Sequence, residues 1–247
     1  MEPHIQQSAR PGLASRMPRR YTIVALYFLA TVLCYVDRVS ISVAIIPLAR
    51  RFSYGAGAQG VILSAFFWGY FCTQLAGGWM ADRFGGRRVL GAGVAAWSLA
   101  TLLTPAAAAI SFAALFAIRV ALGLGEGVNF PAIHSLTARW MLATERARAL
   151  SLNFSGMYLG TVLALLASPV IIGAFGWPAL FYISGALGLV WVAAWMLGAD
   201  DRPEDSRRIS VAELARISVS RNAEPRAAAV PWAKIARERA VWAIVLA

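Results

Sequence analysis

Long runs without a charged residue constrain this chain more than any other feature of its sequence. No Asp, Glu, Lys or Arg occurs in residues 52–81, 89–118 or 149–199. A membrane-spanning helix needs about 20 predominantly apolar residues, so the first two runs are each predicted to hold one helix. The third run is broken by glycine and proline near 173–178, which predicts two helices there.

Two further segments are apolar although each contains a pair of charges. They complete a set of six predicted helices and indicate an all-α integral membrane fold, because continuous apolar runs of this length do not fit the alternating strands of a membrane barrel. The composition agrees, since 59% of the residues are hydrophobic and only 14% are charged, against roughly 25% charged in ordinary soluble domains. The predicted helices span 21–48, 58–81, 88–108, 111–138, 149–173 and 177–198.

The basic residues fall overwhelmingly on one side of these helices. Of the 23 Lys and Arg residues, 19 lie in the N-terminal tail, in alternate loops and after the sixth helix, two lie on the other side, and two lie inside helices. Cytoplasmic loops carry such an excess, which predicts a cytoplasmic N-terminus and a multi-pass protein of a bacterial inner membrane. The net charge of +11 is interpreted as this topology signal and as a contact with anionic membrane lipid. No nucleic-acid partner is expected, because no basic face is paired with a stacking platform.

The segments before the first and after the sixth helix are predicted to lie in the cytoplasm, apart from the end of the chain. Residues 1–20 form a tail, and the charged residues 199–239 form a loop with a short amphipathic helix at 210–219. Residues 240–247 turn apolar again, but eight residues are too few to cross a bilayer at about 1.5 Å per residue. We therefore expect a chain truncated at the start of a seventh helix, whose partner is a missing C-terminal half.

The turn between the second and third predicted helices carries the most specific motif of the sequence. The carboxylate of Asp82 stands where the N-terminus of a neighbouring helix or an arginine could hold it, and Gly85 permits the tight turn. Such a charge latch locks one conformation and releases in another. The alternative is a basic turn that only sets the topology. The motif consists of Gly78, Asp82, Arg83, Gly85, Arg87 and Arg88.

Two of the predicted helices carry charges inside the membrane. Ionisable groups there cost about 2.5–3.5 kcal/mol on insertion scales, so they are candidate functional residues. Asp37 and Arg38 lie in the first helix. Arg119 and Glu126 lie two turns apart in the fourth helix and share one face. The structural alternatives are an internal ion pair that only holds helices together, and a Glu126 that is simply the partner of Arg119.

The turn motif resembles the signature loop of the major facilitator superfamily. Four further motifs make the sequence similar to one branch of that superfamily, the anion:cation symporters. They are Tyr-Val-Asp-Arg in helix one, Gly-Glu-Gly followed by Phe-Pro in helix four, Glu-Arg-Ala-Arg in the next loop, and Phe-Gly-Trp-Pro-Ala-Leu-Phe-Tyr before helix six. The branch includes bacterial transporters of sugar acids, hexuronates and aromatic acids, and organic-anion and phosphate transporters of animals and plants. The resemblance runs from Tyr21 to about Asp200 and is not specific to one substrate.

The resemblance implies a particular architecture and particular roles for the buried residues. The chain would be the first of two six-helix bundles, with substrate near the midplane between them and access that alternates by rocking. The implied roles are substrate binding by Arg38, Tyr35 and Tyr70, and proton coupling by Asp37, Glu126 and Arg119.

The sequence therefore predicts a secondary active transporter that moves an organic anion, such as a sugar acid or an aromatic acid, by proton symport, with no cofactor and no metal. With both acids ionised the four buried charges sum to zero, so an entering anion adds one negative charge that protonation of Asp37 or Glu126 removes. Two alternatives stay open: a sodium-coupled phosphate or anion transporter, and a non-transporting scaffold or receptor fragment. An enzyme is not expected, because no nucleophile–base or metal-ligand constellation is visible.

Overall fold

The computed structural model describes residues 17–222 and, further along the chain, residues 237, 238, 240 and 243. Most of the predicted N-terminal tail therefore lies outside the described residues. So do the later part of the predicted loop, 223–236, and all but two positions of the predicted start of a seventh helix.

The described residues form eight α-helices and a 3-10 helix at Pro203–Asp205, and none of them belongs to a strand. The α-helices are α1 (Arg19–Phe52), α2 (Ala56–Phe84), α3 (Gly86–Ile110), α4 (Phe112–Glu126), α5 (Asn129–Trp140), α6 (Arg146–Phe175), α7 (Trp177–Gly198) and α8 (Val211–Asn222). Six segments are long and apolar enough to cross a membrane, where α4 and α5 together count as one. The all-helical membrane fold predicted from the charge-free runs is thus confirmed.

The fourth predicted membrane helix is divided in two. α4 begins with a cap, in which the Oγ of Ser111 accepts a hydrogen bond of 3.0 Å from the amide three residues ahead. α4 and α5 are separated by a turn at Gly127 and Val128. Pro131 explains the break, because it has no amide hydrogen to bond to the carbonyl of Gly127. The structure thus differs from the continuous helix predicted for 111–138, although both pieces still form one membrane-capable segment.

Two single glycines connect long helices. Gly85 joins α2 to α3 with φ of +91°, and Gly176 joins α6 to α7 with φ of +81°. A residue with a Cβ is strained in this region of backbone space, so glycine is required at both turns. The first turn was expected from the latch motif, and the second lies within the break expected near 173–178.

Glycines also bring α4 into close contact with α2. A Cβ on Gly123 would overlap the carbonyl oxygen of Phe66, and a Cβ on Gly69 would overlap that of Val120. Any larger residue at either glycine would push the two helices apart. The close approach brings the aromatic residues Phe66 and Tyr70 of α2 alongside the charged residues of α4.

Buried tryptophans hold α7 against its neighbours. The Nε1 of Trp191 donates to the carbonyl oxygen of Leu26 in α1 (2.9 Å), and the Nε1 of Trp195 donates to that of Arg87 in α3 (2.9 Å). The side chains of α1 that face α7 are thereby closed off from the surroundings. Asp37 is one of the residues that this packing leaves buried.

Candidate functional site

Arg38 of α1 and Glu126 of α4 form the central ion pair of the bundle. The Nε and Nη2 of Arg38 donate to the same carboxylate oxygen, Oε2 of Glu126, at 3.0 and 2.8 Å. The Glu126 side chain is fully buried and that of Arg38 is 19% exposed. The other carboxylate oxygen of Glu126, Oε1, has no hydrogen-bond partner among the described residues. The pair therefore uses one edge of the guanidinium and leaves half of the carboxylate unsatisfied.

Three aromatic rings surround the guanidinium of Arg38. Its central carbon lies 4.7 Å from the ring centroids of Tyr35, Phe66 and Tyr70. Cations are attracted to aromatic faces at such distances, so the rings stabilise the charge and restrict its orientation. Tyr35 and Tyr70 were named from the sequence. Phe66 was missed, because a phenylalanine in an apolar helix carries no signal that separates it from the core.

Cys34 is a second residue of the site that the sequence reasoning did not assign to it. Its Sγ donates to Oε2 of Glu126 at 3.3 Å and accepts from Nη2 of Arg38 at 3.7 Å. The thiol is buried and free. It lies one helical turn before Arg38, so α1 presents both side chains to α4. That spacing was the only signal that could have placed Cys34 beside the pair.

Arg119 occupies a separate position on α4. Its side chain is 1% exposed, and its Nε and Nη1 have no hydrogen-bond partner among the described residues. The guanidinium carbon lies 5.7 Å from the ring centroid of Phe66. Glu126 is bonded to Arg38 and not to Arg119, so the structure does not form the ion pair within α4 that the sequence left open.

Asp37 lies on a different side of α1 from Arg38. It is 2% exposed, and neither of its oxygens has a hydrogen-bond partner among the described residues. The polar groups that face it are Ser184 of α7 and Trp97 of α3, and the charges that act on it are those of Glu126 and Arg119. The consecutive acid and arginine therefore do not pair with each other, and α1 divides the buried charges into two neighbouring groups.

The buried asparagines are part of the helix packing. The hydroxyl of Thr31 in α1 donates to Oδ1 of Asn153 in α6 at 2.8 Å. The same hydroxyl accepts from Nδ2 of Asn129 in α5 at 3.4 Å. The two asparagines therefore join α1 to α5 and α6.

The latch residues lie on the side of the bundle where α1 begins and α2 ends, which we call the basic side. Asp82 is exposed and makes no ion pair or hydrogen bond with a described residue. Gly78 also has open space where a Cβ would be. Arg83 lies over the rings of Trp79 and Phe84, at 5.8 and 5.9 Å. Asp82 thus has no bonded partner in the described part of the chain, although it lines one pocket with Arg87 and Arg139.

Asp201, after α7, holds the start of α3 in place. Its Oδ1 accepts from the amide of Arg87 at 3.0 Å, and its Oδ2 forms an ion pair with Arg139. A Cβ on Gly85 would lie 2.7 Å from this carboxylate, so the turn glycine also makes room for it. The sequence reasoning missed Asp201, because the two residues it joins are 114 and 62 positions away.

A second carboxylate, that of Glu213 in α8, caps the start of α1. It accepts from the amides of Arg19 and Arg20 at 2.9 and 3.1 Å, and from the Nη1 of Arg20 at 3.1 Å. The Nε of Arg20 donates to Glu145, before α6, at 2.9 Å. Free backbone amides at a helix start favour an anion. The amphipathic helix expected at 210–219 therefore exists as α8 and is docked onto α1.

Glu145 is held as a carboxylate by the same cluster. Partial burial acts to raise its pKa, but hydrogen bonds from Arg20 and from the hydroxyl of Tyr21 (3.1 Å), together with the Arg20 charge, outweigh it. The pKa of Glu145 therefore lies below its usual range. The cluster ties the ends of α1, α6 and α8 together on the basic side.

Comparison with known proteins shows that the sequence is similar to membrane transporters. The sequence model of the Major Facilitator Superfamily matches residues 27–247. "Probable anion transporter 4, chloroplastic" of Oryza sativa subsp. japonica is 43% identical over 94% of this chain and 39% of its own length. Two Arabidopsis thaliana proteins, "Ascorbate transporter, chloroplastic" and "Sodium-dependent phosphate transport protein 1, chloroplastic", are 41% and 42% identical over 97% and 92% of this chain. The chain spans less than half the length of each of these relatives.

Solved structures of transporters share the fold. A bacterial homologue of the human lysosomal transporter Spinster, in an inward-facing and occupied conformation, superposes with a TM-score of 0.70 at 24% identity, over 76% of this chain and 46% of its own. The xylose transporter XylE from E. coli, in an inward-open conformation, gives 0.67 at 16% identity, over 75% of this chain and 49% of its own. Both likenesses concern the fold alone. The three plant relatives are named as chloroplastic, so they do not support the bacterial inner membrane expected from the sequence.

Proposed function

Because the chain belongs to the Major Facilitator Superfamily, whose members are transporters and not enzymes, we propose that it forms the first half of a secondary transporter that carries an organic anion together with a proton. The curated relatives are named as anion, ascorbate and phosphate transporters, which supports an anion as the substrate class. The partner of this half is a second six-helix bundle, and the substrate lies between the two bundles.

The contact between Arg38 and Glu126 carries this proposal. A carboxylate of the protein occupies the two donors of Arg38 that match a substrate carboxylate in geometry. Substrate and Glu126 therefore compete for the same edge of the guanidinium. Protonation of Glu126 removes its charge and weakens its hold on Arg38, so that proton uptake makes room for the anion.

The charge balance of the site also supports the coupling of anion binding to proton uptake. Asp37 and Glu126 balance Arg38 and Arg119 when both acids are ionised. An anion that binds without a proton leaves one excess negative charge in a region of low dielectric, which is costly. One added proton restores neutrality. Asp37 is the second group that can accept it, since its carboxylate has no hydrogen-bond partner among the described residues.

The orientation of the protein follows from its charges. We place the basic side in the cytoplasm, because Lys and Arg are concentrated there. The latch then lies on the cytoplasmic side, with Asp82 exposed to receive a partner from the second bundle. Locking and release of that contact accompany the alternation of access.

Sodium-coupled transport of phosphate is the second candidate, because one relative is named as a sodium-dependent phosphate transport protein. Arg38 suits a phosphate as well as a carboxylate, so the ion pair alone does not choose between them. A non-transporting scaffold or receptor fragment is disfavoured, since a passive role gives no reason for four buried charges.

Replacing Glu126 with Gln in the full-length protein tests the coupling. The amide mimics the neutral acid, so the variant should still exchange labelled anion between the two sides of a proteoliposome. It should lose accumulation driven by an imposed pH gradient. Glu204→Gln, which alters an exposed ion pair on the basic side, is the control and should accumulate anion normally.

The two candidates give different results in the same vesicles. Accumulation driven by an inward sodium gradient at equal pH would favour the sodium-coupled alternative. Undiminished proton-driven accumulation by Glu126→Gln would show that Glu126 is not an essential coupling acid.

A further inference from the structure

An apolar groove runs along the outer surface of the bundle between α2, α3 and α4. Its volume is about 510 Å³, and apart from one arginine and one threonine its lining is apolar. Phe84 and Arg88 lie at its end on the basic side, and Ala96 and Ala121 lie towards the middle of the helices. The groove is separate from the Arg38–Glu126 site.

The length of the groove matches one leaflet of a membrane. Arg88 and Ala96 are eight residues apart on α3, which is about 12 Å at the α-helical rise. Half of the hydrocarbon core of a bilayer is about 15 Å. The groove thus extends from the boundary of the membrane on the basic side almost to its midplane.

The shape of the groove suits a thin, flexible chain. A Cβ on Gly93 would lie 2.5 Å from Cγ2 of Val128 and 2.9 Å from the carbonyl oxygen of Gly125, so α3 packs closely against the end of α4 and only a valine side chain lies over this glycine. Ala92, Ala96 and Ala121 add only methyl groups to the walls. Such a surface has room for an acyl chain, and the one hydroxyl among its lining residues, that of Thr73, already donates to the carbonyl oxygen of Gly69 at 3.3 Å.

A cation stands at the mouth of the groove. Arg88 is exposed and makes no hydrogen bond or ion pair with the described residues. Its neighbour Arg87, by contrast, donates to the carbonyl oxygen of Met196 at 2.6 Å. The guanidinium of Arg83 lies 5.9 Å from the ring centroid of Phe84, a residue of the groove. Both arginines are therefore near the mouth without an ion-pair partner among the described residues, although they line an adjoining pocket with Asp82 and Asp205.

The groove faces away from the surface proposed to meet the second bundle. On α2, Met80 and Phe84 line the groove, whereas Gly78 and Asp82 belong to the latch. At about 3.6 residues per turn these two sets lie on nearly opposite faces of α2. Arg88, at the start of α3, belongs to both the groove and the latch. A helix of the second bundle that engages Asp82 would leave the groove open to lipid.

We propose that this groove is a binding site for an anionic glycerophospholipid of the leaflet on the basic side. One acyl chain lies in the groove between α3 and α4, and the phosphate group binds Arg88. The apolar groove recognises the acyl chain, and the arginine at its end recognises the anionic headgroup. The inference does not depend on what the protein transports.

Mass spectrometry of the full-length protein released intact from membranes tests the site. The probes are phosphatidylglycerol and phosphatidylcholine with identical acyl chains. Phosphatidylglycerol should be retained in preference. Arg88→Gln should lower its retention about fivefold, the effect of one interfacial charge. It should lower the retention of phosphatidylcholine much less, because the choline ammonium offsets the charge of the same phosphate. Ala96→Phe, which fills the groove, should lower the retention of both lipids.

Matched variants separate the groove from general charge and bulk. Arg148→Gln removes an exposed arginine of the basic side outside the groove, and Ala106→Phe adds the same ring to an exposed position near the other end of α3. Neither should change lipid retention. Equal retention of the two lipids by the unaltered protein, or equal effects of Arg88→Gln and Arg148→Gln, would overturn the proposal.

A label in the groove tests what covers it without changing Arg88. A fluorophore attached to Ala92→Cys in reconstituted protein should be quenched by acyl chains that carry a quencher. Strong protection from such lipids would mean that protein covers the groove, and the lipid site would then be wrong.

Discussion

Arg38 presents only one edge of its guanidinium to an anion. Rings at 4.7 Å confine the group on several sides, and the edge formed by Nε and Nη2 is the one that Glu126 occupies. A planar fork held in this way favours an anion that can accept two parallel hydrogen bonds. If Arg38 binds the substrate as proposed, recognition depends on the geometry of the guanidinium as well as on its charge.

Arg38→Lys should therefore lose most of the affinity for substrate, although the positive charge is kept. A lysine supplies a point charge and cannot form the two-point contact. Loss of a charge-assisted hydrogen bond costs about 1.5–3 kcal/mol, which is roughly ten- to a hundredfold in affinity. Substrate binding to the full-length protein measures the effect, with Arg50→Lys at the exposed end of α1 as the control. Unaltered binding by Arg38→Lys would remove Arg38 from the site.

The sequence identified the buried charges, but not how they pair. A charge in an apolar helix is conspicuous, so Asp37, Arg38, Arg119 and Glu126 could each be named. Their partners depend on how separate helices are rotated, and no local spacing gives that rotation. Phe66 escaped notice for the opposite reason, since its environment in the sequence is that of any core residue.

Two elements on the basic side are fixed by carboxylates from the segment that follows α7. Asp201 binds the start of α3, and Glu213 binds the start of α1. Local signals predicted the helices themselves, and even an amphipathic helix at 210–219. The docking of α8 was not predictable, because Glu213 meets residues more than 190 positions away.

Replacing Glu213 with Ala should release α8 from the bundle. The change removes three hydrogen bonds from a buried carboxylate, and loss of even one charged bond at about 1.5–3 kcal/mol increases local opening at least tenfold. Hydrogen exchange of the α8 amides should accelerate accordingly. Glu204→Ala breaks only the exposed ion pair with Arg221 and should have little effect. Equal exchange rates in the two variants would contradict this role for Glu213.

The protection of the α8 amides from hydrogen exchange should depend on pH through Glu145. Because its pKa in the folded state is lowered, its contribution to the cluster is fully present above the ordinary glutamate pKa of about 4.3. This contribution is lost only as the pH falls through the lower pKa that Glu145 has in the folded protein. Protection of α8 should therefore persist at about pH 5 and decline below about pH 4.

The two aspartates near the α2–α3 turn should have different roles. Asp82 makes no hydrogen bond or ion pair with a described residue, so Asp82→Asn should slow transport without changing substrate affinity or the thermal stability of the protein. Asp201 holds Arg87 and Arg139, so Asp201→Asn should lower stability by about 1–3 kcal/mol. Transport rates and thermal unfolding of both variants test this difference. A stable Asp201→Asn together with an unstable Asp82→Asn would reverse the assignment.

For the molecule as a whole, the distribution of arginine predicts its orientation in the membrane. Ala109 and Arg207 are exposed at opposite ends of the bundle. In a protein whose exposed Cys72 has been replaced by serine, Ala109→Cys should react with an impermeant thiol reagent from outside the cell or organelle, and Arg207→Cys should react only after the membrane is opened. The reverse pattern would show that the basic side does not face the cytoplasm.

Two acids and two arginines in one enclosed site also have an electrical consequence. If one proton accompanies each monovalent anion, the loaded bundle carries the same net charge as the empty one, and no charge crosses the membrane in a complete cycle. A voltage then does no work on transport, since work requires a net charge moved through the field. With that stoichiometry, the driving forces are the pH difference and the anion gradient, and the protein neither draws on the membrane potential nor dissipates it.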